Sequence, residues 1–133
     1  MIVIDASAVV ELLAGHRPSA LLARRVFAEP WHAPHLIDVE VLHALRHLLL
    51  RQQITIELAT SARTDLDAMT ITRYSHVGLR DRIWELRDAM TAYDAAYIAL
   101  AEALDAPLVT TDARLGRAPG RRCEVEVFGH PVD

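Results

Sequence analysis

The chain contains no lysine, one cysteine and only seven aromatic residues among 133. Each scarcity closes off a class of function. Without lysine there is no P-loop cation for nucleotide phosphates and no amine for Schiff-base chemistry. The single cysteine, Cys123, rules out an intramolecular disulfide and a multi-cysteine zinc site. No apolar run approaches the roughly 18 residues that span a bilayer. No basic segment precedes the N-terminal apolar stretch, and Asp5 interrupts it, so a secretory signal is not expected. Positive charge is also in deficit, with 14 arginines against 18 acidic residues and a formal net charge of −4. Such a balance does not suit a general nucleic-acid coat, which needs clustered cations. The expectation is a cytoplasmic protein with no membrane association.

What is present is a compact-domain composition, 52% hydrophobic and 24% charged. The length fits one domain over 1–133 with one core. The chain is organised around its opening, Ile2-Val3-Ile4 running into Asp5. A run apolar on both faces suits a strand buried within a parallel sheet. Residues 6–14 then read as a short helix closed by Gly15, and Pro18 opens a second helix reaching about Ala28. Trp31-His32-Ala33 supplies a brief strand. Helices are expected from about His35 to Gln52 and from Ile54 to Met69, with a strand over Thr70–Tyr74. Residues 77–88 are amphipathic, and an alanine-rich helix follows Thr91-Ala-Tyr-Asp94 to about Asp105. Pro107–Thr111 is the next strand, and Glu124–Val127 a final edge strand. Strands separated by helices predict an α/β domain with a mainly parallel central sheet.

Four acidic residues stand at element ends. Asp5 and Asp112 each follow a buried-type strand, so a parallel sheet brings both to the same rim, where ligands bind in such folds. Each is equally readable as a helix cap or turn residue. Asp94 sits three residues after Thr91, the spacing of a capping box, and would gain from the helix dipole whatever its function. Glu40 falls outside the apolar stripe Val41/Leu42/Leu45/Leu48/Leu49, near Ala44 and His47, where a solvated glutamate is the ordinary outcome.

Ile2-Val3-Ile4-Asp5-Ala6-Ser7-Ala8 resembles the first motif of PIN domains, specifically of the VapC toxins of type II toxin–antitoxin pairs. Ala33 to Val41, containing Glu40, is similar to that family's second acidic motif. Tyr93-Asp94-Ala95-Ala96-Tyr97 is similar to its third, and Val109-Thr110-Thr111-Asp112-Ala113-Arg114-Leu115 to its fourth. The match keeps order and spacing from Met1 to about Val127. The resemblance implies a three-layer α/β/α fold and an endoribonuclease in which Asp5, Glu40, Asp94 and Asp112 gather around Mg²⁺ or Mn²⁺. Ser7 and Thr110 match the hydroxyl positions beside the acids, although adjacent Thr111 leaves open which threonine faces the site. It also implies a cognate VapB-type antitoxin, an RNA substrate and a homodimer. The cation makes sense by charge alone, because clustered carboxylates repel one another and Mg²⁺ favours oxygen ligands.

Other features carry weaker expectations. Arg114, Arg117, Arg121 and Arg122 are candidates for RNA phosphate. Tyr93 and Tyr97 are spaced to stack on bases or to pack in the core. His43 and His47 have i, i+4 spacing but lack the glutamate of a metalloprotease helix. Leu12, Leu13, Leu21, Leu22, Val26 and Phe27 are expected to help form an antitoxin groove. An aspartyl-phosphate hydrolase would want an aspartate where Ser7 stands, and a receiver domain needs a lysine. A non-catalytic module of the same fold is the remaining alternative, and the presence of all four acids argues against it.

Overall fold

The strand Ile2–Ile4 (β1) forms the middle of the sheet, with every residue buried. In the computed structural model, which describes residues 1–16 and 19–129, it is followed by α1 (Ala6–Ala14), α2 (Ala20–Val26), β2 (Trp31–Pro34), α3 (Ile37–Leu50) and α4 (Ile56–Ala68). The chain continues through β3 (Ile71–Tyr74), a 3₁₀ turn (Val77–Leu79), α5 (Arg80–Glu85), α6 (Ala92–Leu104), β4 (Leu108–Thr110), α7 (Ala113–Gly116) and β5 (Val125–Val127). The expected elements are thus present, within a few residues at their ends. The amphipathic 77–88 segment divides into the 3₁₀ turn and the short α5. Pro18 lies outside the described residues, and the first seen cap of α2 is Ser19, whose hydroxyl accepts from Leu22 N–H.

The five strands run in the order β3-β2-β1-β4-β5, and every pairing is parallel. The chain builds outward from β1 through β2 to β3, then crosses back to lay β4 on the other side of β1. The reversal therefore falls between β1 and β4, at the switch point where α/β sheets open a crevice beyond the strand ends. Register places Ile4 beside Val109, so Asp5 and Asp112 emerge from neighbouring strands at that crevice.

Helix α6 lies against β1, β2 and β4, with α5 behind it, while α1 packs on α3 and α4. Its stretch Ala95–Ala101 is buried throughout, as an alanine-rich helix pressed onto a sheet should be, and Asp105 closes it in the left-handed region at φ 51°. No helix among the described residues is long and apolar enough to cross a membrane.

Of the six residues expected to form a groove, Leu22 and Val26 are fully buried and Leu12 and Leu13 pack against the core. Only Leu21 and Phe27 face solvent, at 67% and 64% exposure. Local packing corrects that expectation. Trp31 Nε1–H donates to Val26 O at 2.6 Å and its ring meets Phe27, tying the end of α2 to β2 with Leu22 and Val26 turned into the core.

Candidate active site

Asp5 is the buried centre of the rim. As N-cap of α1, its Oδ1 accepts from Ala8 N–H at 3.0 Å and from the Ser7 hydroxyl at 2.7 Å. Its Oδ2 accepts from the Thr110 hydroxyl at 2.5 Å. Capping and site geometry are the same arrangement here. Thr110 Oγ1 also accepts from Asp112 N–H at 3.0 Å, and Ser7 Oγ accepts from Thr111 N–H at 3.1 Å. Thus Thr110 supplies the hydroxyl at Asp5, and the two hydroxyls stitch the end of β1 to the end of β4. Burial raises the Asp5 pKa, with a further push from Asp94, against the lowering effect of these donors.

Asp94 occupies the first turn of α6, where its backbone N–H donates to the Thr91 hydroxyl at 3.2 Å. The N-terminal half of the capping box is therefore formed. Burial, followed by the charge of Asp112, raises the Asp94 pKa, while Arg114 and Thr91 oppose the rise. Asp94 also adds to the upward shifts of Asp5 and Glu40, so it is the carboxylate that feels, or is felt by, all the others.

Glu40 departs most from its position on the helical wheel. Instead of being solvated, it is half-buried, and its Oε1 is sealed from solvent without a hydrogen-bond partner. Burial raises its pKa, and the charges of Asp94 and Asp5 add to the effect. The Tyr97 hydroxyl is likewise buried and unpartnered. Burial and then the Glu40 charge push that phenol far above its ordinary range. The phenol lies close enough to Glu40 to lower that carboxyl's pKa against the effect of burial, although the contact falls short of ordinary hydrogen-bond geometry. Tyr97, expected either to stack on bases or to pack in the core, is core, and its hydroxyl neighbours Glu40. Its signal was a phenol in a fully buried Ala/Ile face, since a buried tyrosine hydroxyl requires polar company.

Asp112 is different. It caps α7 through Oδ1, which accepts from Arg114 N–H at 3.0 Å, and its carboxylate is clasped by the Arg114 guanidinium at 2.6 to 3.2 Å. That hydrogen bonding holds the Asp112 pKa below its ordinary value. Arg117 is exposed and adds charge near Asp112. Arg121 is engaged elsewhere, donating to Cys123 O and Gly116 O, and the backbone N–H of Arg122 donates to Glu102. Tyr93 is exposed whereas Tyr97 is core. His43 and His47 are both exposed, with rings 6.2 Å apart.

Among the described residues, no group of three or more His, Cys, Asp and Glu side chains is gathered closely enough to hold a metal ion as it stands. The donor chemistry nonetheless fits a hard divalent cation. Every candidate ligand is a carboxylate oxygen, three of the four have raised pKa values, and Glu40 keeps a buried acceptor with no partner. A cation would compensate all of these at once.

The family model described as PIN domain matches residues 2–121. Ribonuclease VapC1 of Mycobacterium tuberculosis is 46% identical over 127 residues, covering 94% of this chain and 96% of the relative. Ribonuclease VapC9 of the same organism is 41% identical over 127 residues, covering 96% and 98% respectively. Among solved structures, VapBC2 from Rickettsia felis, determined bound to a DNA fragment from its promoter, superposes with a TM-score of 0.68. It is 16% identical, with 96% of this chain and 99% of that chain covered, so the likeness is one of fold.

Proposed function

The chain belongs to the PIN-domain family, and from that premise we propose that it is the toxin of a type II toxin–antitoxin pair. In this reading it is a cytoplasmic endoribonuclease that cleaves RNA phosphodiester bonds at the Asp5, Glu40, Asp94 and Asp112 rim. It acts as a homodimer and is neutralised by a cognate VapB-type antitoxin. The ribonuclease and VapC names of relatives 41% and 46% identical over nearly the whole chain support the activity. The observation that carries the site is the strained charge state of the rim: three carboxylates held above their ordinary pKa, one with a buried oxygen lacking any partner.

Mg²⁺ or Mn²⁺ held by Asp5, Glu40, Asp94 and Asp112 would orient the phosphodiester and stabilise charge on its oxygens. The chain's own residues do the rest. Ser7 and Thr110 hold Asp5 from both carboxylate oxygens, so its direction is set before substrate arrives. Glu40, a carboxyl with raised proton affinity, is the acceptor suited to take a proton from attacking water. Arg114 and Arg117 supply positive charge for RNA phosphate beside an otherwise anionic rim. The Arg121 guanidinium instead secures the loop before β5.

The test is cleavage of RNA by purified protein with Mg²⁺ or Mn²⁺, comparing wild type with Asp94→Asn while following folding by circular dichroism. Cleavage should be lost with the melting transition retained. Full cleavage by folded Asp94→Asn would remove Asp94 from the site.

A further inference from the structure

Among the described residues, the Asp112 carboxylate is the only one of the four rim acids clasped by a guanidinium, and that guanidinium lies in solvent. Arg114 is 77% exposed, against 25% for the Asp112 side chain it holds. So open to water, the pair is screened by solvent and salt, while its forked contact fixes the geometry. Its removal would not release Asp112, because Arg114 N–H still caps Oδ1 and Thr110 Oγ1 still accepts from Asp112 N–H. The carboxylate is thus oriented by backbone contacts and merely covered by the side chain. The same arginine also bears on Asp94 by charge.

Resting on the metal-site reading above, we infer that Arg114 is the resident cation of the rim, clasping Asp112 until a divalent ion is bound and then turning its guanidinium to the RNA phosphodiester. The first half follows from that contact: Arg114 already balances the charge of one carboxylate that a divalent ion would need. The second half follows from donor chemistry. A guanidinium displaced from a carboxylate retains a planar fork suited to another anion with paired oxygens, and a phosphodiester is such an anion. Arg114 is therefore a positioning residue that couples cation loading to substrate grip.

The experiment is calorimetric titration of the full chain with Mn²⁺, in the absence of RNA, for wild type, Arg114→Gln, Arg114→Lys and Arg117→Gln. Loss of a competing exposed pair should tighten Mn²⁺ binding by about two- to fivefold in Arg114→Gln. Arg117 acts on Asp112 through charge, so Arg117→Gln should tighten it less, and Arg114→Lys should stay near wild type. In RNA cleavage, Arg114→Gln should raise KM more than it lowers kcat. Unchanged or weaker Mn²⁺ binding in Arg114→Gln would overturn the inference, and so would equal effects of Arg114→Gln and Arg117→Gln. Wild-type protein that binds no Mn²⁺ would overturn the metal-site reading beneath it, a result distinct from either of these.

Discussion

Asp5 and Asp112 are written in the same local grammar, a short buried strand followed by a carboxylate and a helical turn, yet they end in opposite electrostatic states. Asp5 is buried and held by neutral donors, and its pKa is raised. Asp112 is partly exposed and clasped by an arginine, and its pKa is lowered. Both strands are internal to the sheet, so the difference arises beyond their ends. Asp5 follows β1 directly and is enclosed by donors from α1 and β4, whereas Asp112 stands two residues past β4. Asp112 opens the short α7, whose Arg114 lies in solvent. Strand-end position brings an acid to the rim; its neighbours decide whether it arrives strained or satisfied.

Breaking the strained side should have the largest effect. Asp94→Asn removes the charge that bears on Asp5 and Glu40 and feels Asp112, and cleavage should fall about a hundred- to a thousandfold, the scale of losing one preorganised electrostatic contact. The helix should lose only about 0.3–1 kcal/mol of dipole stabilisation. Activity and melting measured on the same preparation separate these two consequences.

Removing support from Asp5 should come next. Thr110→Val deletes the donor to Oδ2 in a fully buried position. Activity should drop about ten- to a hundredfold, as for other groups that orient a ligand, with about 1–3 kcal/mol of stability lost to an unsatisfied acceptor. Denaturant melts together with initial rates check both. Thr111→Val, which keeps the backbone N–H donated to Ser7, should do less.

The pH dependence of stability should distinguish the two carboxylates more gently. Asp5, Glu40 and Asp94 titrate above their ordinary values of 3.8, 4.5 and 3.8. Their neutral forms are thus relatively favoured in the folded state. That contribution is fully present below the ordinary values and is lost as pH rises through the raised ones. Asp112 has the opposite sign: its contribution is present above 3.8 and is lost as pH falls through its lowered value. Melting of metal-free Asp94→Asn against pH should therefore show a shallower loss of stability on the alkaline side than wild type does.

The order of elements was legible because its signals are local: caps, glycine and proline stops, and apolar periodicity. Asp5 and Asp112 were legible as a pair because a parallel sheet forces strand ends together. Glu40 was not legible from the wheel, since its burial depends on where α6 brings Tyr97, a contact between segments far apart in sequence. The six-residue groove failed for a similar reason. Apolar residues on a short helix show that one side is buried but not which, and here Leu22 and Val26 take the core side. The arginines also could not be sorted by composition, because Arg121 is claimed by loop carbonyls and Arg114 by a carboxylate.

The most direct test of the central claim is titration of purified protein with Mg²⁺ at neutral pH, following heat and melting temperature together. The account predicts saturable binding that raises the melting temperature in wild type and is strongly weakened in Asp94→Asn. A wild-type protein whose melting is indifferent to Mg²⁺, with no heat of binding, would contradict it.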